Sequence, residues 1–375
     1  MHSFKSAKLH SLQRWTKIVV VNLLVLLSLL IVAEIALRLI WTVRSCIELE
    51  CDLSRITSLK IHDGGRATYI GISRLDELLG YVPREGFSAT INAPGWINVK
   101  VTIRKDGFRS NGSEVVPPFT DVLAVGDSFT FGDQVSDNET WPACLERKLG
   151  RGVDNGGVFG YGAAQALRRA SLKLADKNYS TLVLSILVGI DFIRDRLSYR
   201  FGFPKPALIH TENGITWSTV PDPNVPGTKY NPVHKFPSFA YERSEMAAEI
   251  FDLLFPGYNY KNEILGGDRL TTVHSNSANE NEIVEWTLRT FSSFKMKNKM
   301  LLLQYLGPDT NETNVVRERN LIWRIANELS LKVVDTSTVL RNSDEGKLWY
   351  TIGDHHHTPL GNEIVCSYLF EQGFQ

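Results

Sequence analysis

Two stretches constrain this chain more than any others: Thr181 to Val188 (TLVLSILV) and Met300 to Leu306 (MLLLQYL) are apolar at almost every position. A strand with one wet face alternates apolar and polar residues. A strand that does not alternate must be covered on both faces, which is the condition of a parallel sheet between two helical layers. Shorter apolar runs at Val122 to Val125 and Leu331 to Val334 fit the same sheet. Between and after these runs, helical patterns cover Thr140 to Leu149, Ala163 to Ala175, Asn314 to Leu329 and Leu360 to Phe370. The alternation predicts a three-layer α/β domain over residues 119–375.

The first forty-odd residues follow a different rule. Lys5, Lys8, Arg14 and Lys17 form a basic tail over residues 1–17, and an uncharged apolar run begins at Ile18. It continues to Val43, interrupted by Glu34 and Arg38, which stand four apart on one helical face where they can pair. Residues 18–43 are long enough to span a bilayer, with Trp15 and Trp41 at interfacial positions. The basic tail predicts a cytoplasmic amino end and the remainder outside the cytoplasm. A cleavable signal peptide, with Ile31-Val32-Ala33 as its nearest cleavage site, and a buried helix of a soluble protein are the alternatives. Lys plus Arg and Asp plus Glu are both 41, so no bulk field favours nucleic acid. Four cysteines permit disulfides outside the cytoplasm, Cys46 and Cys51 being the closest in sequence, and free or buried thiols are equally open.

Residues 45–118 read as a small β-rich attachment. Val99 to Lys105 alternates with period two and meets the turn signal Asp106-Gly107, and Pro117-Pro118 closes the region. Within the larger domain the alternation breaks between about 197 and 298. That interval holds a hairpin signal at Glu212-Asn213-Gly214, a proline-rich stretch, and helical patterns over 239–255 and 280–294. Such an insertion serves either as a lid or as a structural extension.

Three turns place reactive chemistry where sites form in open α/β sheets, beyond the carboxyl ends of strands. Gly126-Asp127-Ser128 follows the first strand. Asn155 to Gln165 carries four glycines in seven residues, allowing close backbone approach to a ligand. Gly353-Asp354-His355-His356-His357 precedes the last helix. A carboxylate beside an imidazole supplies what a serine nucleophile needs, a base that takes its proton and a group that orients the base. The three histidines with Asp354 also fit a metal in kind, but neighbouring side chains diverge and no further ligand lies nearby in sequence.

Together these turns resemble the SGNH or GDSL hydrolase superfamily. Gly126-Asp127-Ser128-Phe-Thr-Phe-Gly is similar to its first block, Gly160 matches the second-block glycine, and Asp354 to Gly361 resembles the last block. Leu79-Gly-Tyr-Val-Pro and Asp106-Gly-Phe-Arg resemble a membrane-anchored bacterial branch. The resemblance implies a flavodoxin-like sheet and ester chemistry without a cofactor. It makes Ser128 the nucleophile, His356 the base, Asp354 its orienting acid, and the N–H groups of Ser128 and Gly160 the oxyanion hole. The substrate is then an ester or acetylated carbohydrate. An O-acetyltransferase of surface polysaccharide and a degenerate non-catalytic surface protein are the rival readings. The Asp-x-x-His spacing common in the family selects His357 instead of His356. The third block, usually Gly-x-Asn-Asp, reads Gly189-Ile190-Asp191 here, so Ile190 stands where a side-chain oxyanion donor is expected.

Overall fold

The computed structural model describes residues 2–47, 71–93, 96–113, 119–200, 203–221, 244, 246–247, 250, 276–307, 312–341, 345–350 and 355–374. Helix α1 (His2–Ile47) is continuous. Its segment Trp15–Ile40 is long and apolar enough to cross a membrane. The apolar side chains of that segment are exposed around its circumference. Arg38 Nε donates to Glu34 Oε1 at 2.8 Å. The other carboxylate oxygen of Glu34 accepts Ser244 Oγ at 2.8 Å and the Met246 N–H at 3.1 Å, so the insertion touches this helix.

Two hairpins follow: β1 (Ser73–Asp76) with β2 (Gly80–Pro83), and β3 (Ser88–Ala93) with β4 (Trp96–Thr102). Strand β4 ends three residues before the alternation does, and Ile103 beyond it bonds Gly86 and Phe87 on one side and bridges Arg109 on the other. This β-rich region shares its core with the large domain. Tyr81, Val101 and Phe108 belong to the same buried cluster as Leu167, Leu184 and Leu303.

The sheet contains β5 (Thr120–Val125), β6 (Gly152–Asn155), β7 (Thr181–Leu187), β12 (Asn298–Gln304) and β13 (Lys332–Asp335). All its pairings are parallel, in the order β6-β5-β7-β12-β13, the flavodoxin-like order expected above. Each central strand sends alternate residues into opposite apolar layers. Leu182, Leu184 and Ile186 enter one cluster, while Val183 and Leu187 enter the other. That division is why the sequence runs of β7 and β12 are apolar at almost every position.

Short helix α2 (Ser128–Phe131) follows β5, α3 (Trp141–Leu149) precedes β6, and α4 (Ala163–Asp176) leads to β7. After β7 come α5 (Asp191–Arg194), the small pairs β8 (Tyr199–Arg200) with β9 (Phe203–Pro204), and the expected hairpin of β10 (Leu208–Thr211) with β11 (Gly214–Trp217). Then come α6 (Glu280–Ser293), α7 (Thr313–Glu328), and the short α8 (Ser337–Leu340) and α9 (Glu345–Leu348). The chain closes with α10 (Pro359–Gly373). Helices α4, α6 and α7 cover one face and α3 and α10 the other, completing three layers. Cys144 of α3 and Cys366 of α10 form a disulfide with Cα atoms 6.1 Å apart. Whether Cys46 and Cys51 pair, and the 239–255 helix expected from sequence, lie outside what is described, apart from a few residues of the latter.

Candidate active site

The switch point of this sheet lies between β5 and β7, where successive connections leave in opposite directions, and ligands bind such sheets there. Ser128 stands at that point, the first residue of α2. The preceding Asp127 caps the helix, its Oδ1 accepting the Phe129 N–H at 2.9 Å. The glycine-rich second turn packs directly on this one, with the Val158 N–H donating to the Gly126 carbonyl at 3.1 Å. A side chain at Gly157 would meet the backbone of Thr130 and Phe131, so glycine is required for that approach.

The closing loop brings in the histidines. Tyr350 N–H donates to the His356 carbonyl at 2.9 Å, and Asn362 Nδ2 donates to the His357 carbonyl at 3.3 Å while its Oδ1 accepts the Trp141 N–H at 3.2 Å. The disulfide lies on the same two helices, so the helix that follows the serine turn and the helix that follows the histidines are fastened together. The result joins residues 228 apart: His356 Nε2 lies 2.8 Å from Ser128 Oγ. A serine hydroxyl has one hydrogen, and this contact is shorter than its 3.4 Å separation from Asp127 Oδ2. With Nε2 accepting, Nδ1 carries the ring hydrogen and donates to Gln134 Oε1 at 3.2 Å. Asp133 Oδ2 lies 3.7 Å from Nε2.

His357, the neighbour selected by the other spacing, is turned away from the serine. It packs edge-on against Phe129 at 4.8 Å and, tilted, against Trp349 at 5.6 Å between ring centroids. Neither of its nitrogens has a hydrogen-bond partner among the described residues. Burial pushes its imidazole down to about 3, so it is neutral at ordinary pH. His355 is half-buried with φ +53° and Gln134 has φ +66°, left-handed conformations that a non-glycine residue holds at a cost on the order of 1 kcal/mol. Asp354 lies outside the described residues.

Gly160 has φ +70°. Both peptide units flanking Gly160 are held: Tyr81 Oη donates to the Phe159 carbonyl at 2.8 Å, and the Tyr161 N–H donates to the Val158 carbonyl at 3.2 Å, while Arg194 Nη1 donates to the Tyr161 carbonyl at 3.3 Å. Tyr161 Oη in turn donates to the Tyr81 carbonyl. The β-rich region therefore fixes the second-block turn, which the resemblance of Leu79-Gly-Tyr-Val-Pro to a family segment does not explain by itself.

At the third turn, Ile190 is the N-cap of α5 and is half-buried against the cluster that contains Phe129 and Trp349. It offers an apolar side chain where a donor is expected. Asp191 takes no such part, since its Oδ2 accepts the Leu187 N–H at 2.8 Å and its Oδ1 pairs with Arg194 at 2.9 Å. Arg194 also bonds Asp127 at 2.8 Å. Two buried carboxylates share one guanidinium, and burial together with the Asp127 charge pushes Asp191 well above the carboxylate range. The Gly189 N–H donates to Glu318 Oε1 at 2.6 Å, and burial raises that carboxyl to about 7. No cluster of metal-ligating side chains occurs among the described residues.

The sequence did not point to Asp133, Gln134, Arg109 or Arg194. Gln134 was visible only as part of the GDQV that extends the serine turn, and Arg194 as a cation three residues after Asp191.

A parallel sheet in this order carries Gly-Asp-Ser after its first strand and a histidine loop before its last helix. That arrangement fits an SGNH-type α/β fold. Solved structures similar to the chain include a protein described as lipolytic, of the G-D-S-L family, from Desulfitobacterium hafniense (16% identity, 67% of this chain and 98% of that one, TM-score 0.35). Another is a member of the lipolytic G-D-S-L family from Veillonella parvula (12%, 68% and 99%, TM-score 0.39). A third is a variant of an acetyl xylan esterase from Geobacillus stearothermophilus (16%, 69% and 97%, TM-score 0.37). No protein-family model and no curated protein sequence matches the chain.

Proposed function

We propose that this protein is a serine esterase of the SGNH type, working outside the cytoplasm on a chain tethered through residues 18–43. The observation that carries the reading is the 2.8 Å contact between His356 Nε2 and Ser128 Oγ at the sheet's switch point. In the reaction His356 takes the hydroxyl proton as Ser128 Oγ bonds to the ester carbonyl carbon. The protonated imidazole then gives that proton to the leaving alcohol as the C–O bond breaks. Water, deprotonated by the same imidazole, releases the acid and restores the serine. Asp354 is assigned to orient and stabilise the imidazolium, and the N–H groups of Ser128 and Gly160 to hold the oxyanion.

Ile190 sets an expectation about rate. A missing side-chain donor costs on the order of 10²–10³ in acyl transfer, so turnover of simple esters is slow for this fold. The exported location is supported by the apolar span of α1 and by a disulfide between α3 and α10, a bond that persists in oxidising compartments.

The test is hydrolysis of p-nitrophenyl acetate by the full chain in detergent, against Ser128→Ala. Loss of about 10⁴-fold is expected for the variant. Equal rates in the two proteins contradict the reading. Faster acetyl transfer to an added sugar than to water would move the assignment from esterase to acetyltransferase with the same nucleophile.

A further inference from the structure

We infer that Gln134, held in place by the buried Arg109, is a second positioning residue that acts beside Asp354 on the tautomer of His356. The inference rests on the reading of Ser128 as nucleophile. His356 can accept the serine proton at Nε2 only if its own hydrogen sits on Nδ1, and that requires an acceptor facing Nδ1. Gln134 Oε1 faces it at 3.2 Å, inside a buried setting where an unmatched donor is costly. A glutamine carbonyl selects the tautomer as a carboxylate would, without adding a charge.

What places Gln134 is a second set of bonds. The loop from Phe131 to Val135 leaves α2 through Gly132 at φ +88° and then holds Gln134 at φ +66°. A non-glycine residue in that region does not stay there on its own preference. Arg109 lies beneath it, fully buried, and its three nitrogens are all engaged. Nη1 donates to the Phe131 carbonyl at 2.7 Å and to the Gly132 carbonyl. Nη2 donates to the Val135 carbonyl at 2.6 Å, and Nε pairs with Asp137 Oδ1 at 3.2 Å. The carbonyls on both sides of the Asp133-Gln134 pair are thus tied to one guanidinium, whose planar fork suits several fixed acceptors. Arg109 belongs to the Asp106-Gly-Phe-Arg segment, which thereby moulds the turn that faces His356.

The test uses isosteric replacements in the full chain. Among the described residues, the groups that face His356 besides Gln134 are Ser128, Asp133 at 3.7 Å from Nε2, the Phe129 ring at 5.0 Å, and the adjoining His355 and neutral His357. Behind Ser128 stand the Asp127 and Arg194 charges. Into this setting Gln134→Glu adds one negative charge at Nδ1. It favours the imidazolium, so the acidic limb of the rate moves to higher pH by about one unit or more. Gln134→Met removes the acceptor at nearly constant volume. It lowers kcat about 10- to 100-fold with little change in KM, short of the ~10⁴-fold lost with a triad carboxylate.

The readouts are p-nitrophenyl acetate hydrolysis and the labelling rate of Ser128 by a fluorophosphonate, each from pH 5 to 9. The limb shift is read within one variant, so a smaller folded fraction does not imitate it. Wild-type labelling at Ser128 with unshifted, undiminished profiles in both variants overturns the inference and leaves the esterase reading standing. A collapse on Asp354→Asn with no effect of either Gln134 variant does the same, since it gives the orienting role to Asp354 alone. Absence of any Ser128 labelling in the wild type defeats the esterase reading itself, and the inference with it.

Discussion

His356 and His357 are adjacent in the chain and share an aromatic neighbour, Phe129, yet they occupy opposite kinds of surroundings. On one side of the closing loop the imidazole has a hydroxyl at 2.8 Å, an amide carbonyl at 3.2 Å and a carboxylate at 3.7 Å. On the other it has rings and, among the described residues, no hydrogen-bond partner. The difference teaches that a histidine's chemistry is set by what faces its nitrogens, and that a run of three histidines contains one polar position and one core position. On the proposed reading His356 gains and loses a proton, while burial keeps His357 neutral.

The comparison breaks most sharply in a pair of substitutions. His356→Ala removes the base and is expected to lower ester hydrolysis by about 10⁴-fold. His357→Phe retains an aromatic ring in the same packing and leaves kcat within a few-fold. A matching loss in both variants, measured by kcat/KM on p-nitrophenyl acetate, would remove the distinction between them.

The disulfide comes next in size. Cys144→Ser with Cys366→Ser opens a link between positions 222 apart in sequence. A loss of roughly 4 kcal/mol in unfolding free energy is expected, read by urea denaturation. Because that link joins the helices on either side of the serine and histidine loops, Ser128 labelling slows before the chain unfolds. Unchanged labelling in a clearly destabilised double variant would separate the staple from the site.

Protonation sharpens the contrast further. The folded pKa of His357 is depressed, so the protein holds its stabilisation above the ordinary histidine value of about 6.5 and loses it as pH falls from there toward about 3. The slope approaches roughly 1.4 kcal/mol per pH unit, and His357→Phe is expected to flatten it in a series of melts between pH 7 and 4. Glu318 runs the other way. Its folded pKa is raised to about 7, so its contribution is present below the ordinary glutamate value and fades as pH rises to about 7. Glu318→Gln keeps an oxygen for the Gly189 N–H and is expected to remove that smaller decline, without moving the acidic loss due to His357. Identical pH profiles for wild type and both variants would contradict the assignment of these groups.

Much of the architecture was legible because apolar periodicity reports burial directly. Strands β7 and β12 were found to within two residues, and the cap at Thr140 marked the start of α3, its Oγ1 accepting the Ala143 N–H at 3.2 Å. The short motifs drew attention to Ser128, Gly160 and His356, and the fold brings Ser128 and His356 into contact. Gln134 and Arg109 were not legible, because their importance lies in distances across the fold and neither residue type announces itself in a turn. The same holds for the Cys144 and Cys366 pairing, since connectivity between cysteines 222 positions apart depends on how two helices pack. The β-rich region was read as an attachment from its strand pattern. That it shares a core with the sheet, and that Tyr81 braces the Gly160 corner, follows only from contacts.

The most direct measurement of the central claim is covalent labelling by a fluorophosphonate, followed by identification of the modified peptide, in wild type, His356→Ala and His357→Phe. The account predicts a single adduct on Ser128 in the wild type and in His357→Phe, and a labelling rate reduced by orders of magnitude in His356→Ala. An adduct on another residue, or equal labelling of Ser128 with and without His356, would contradict it.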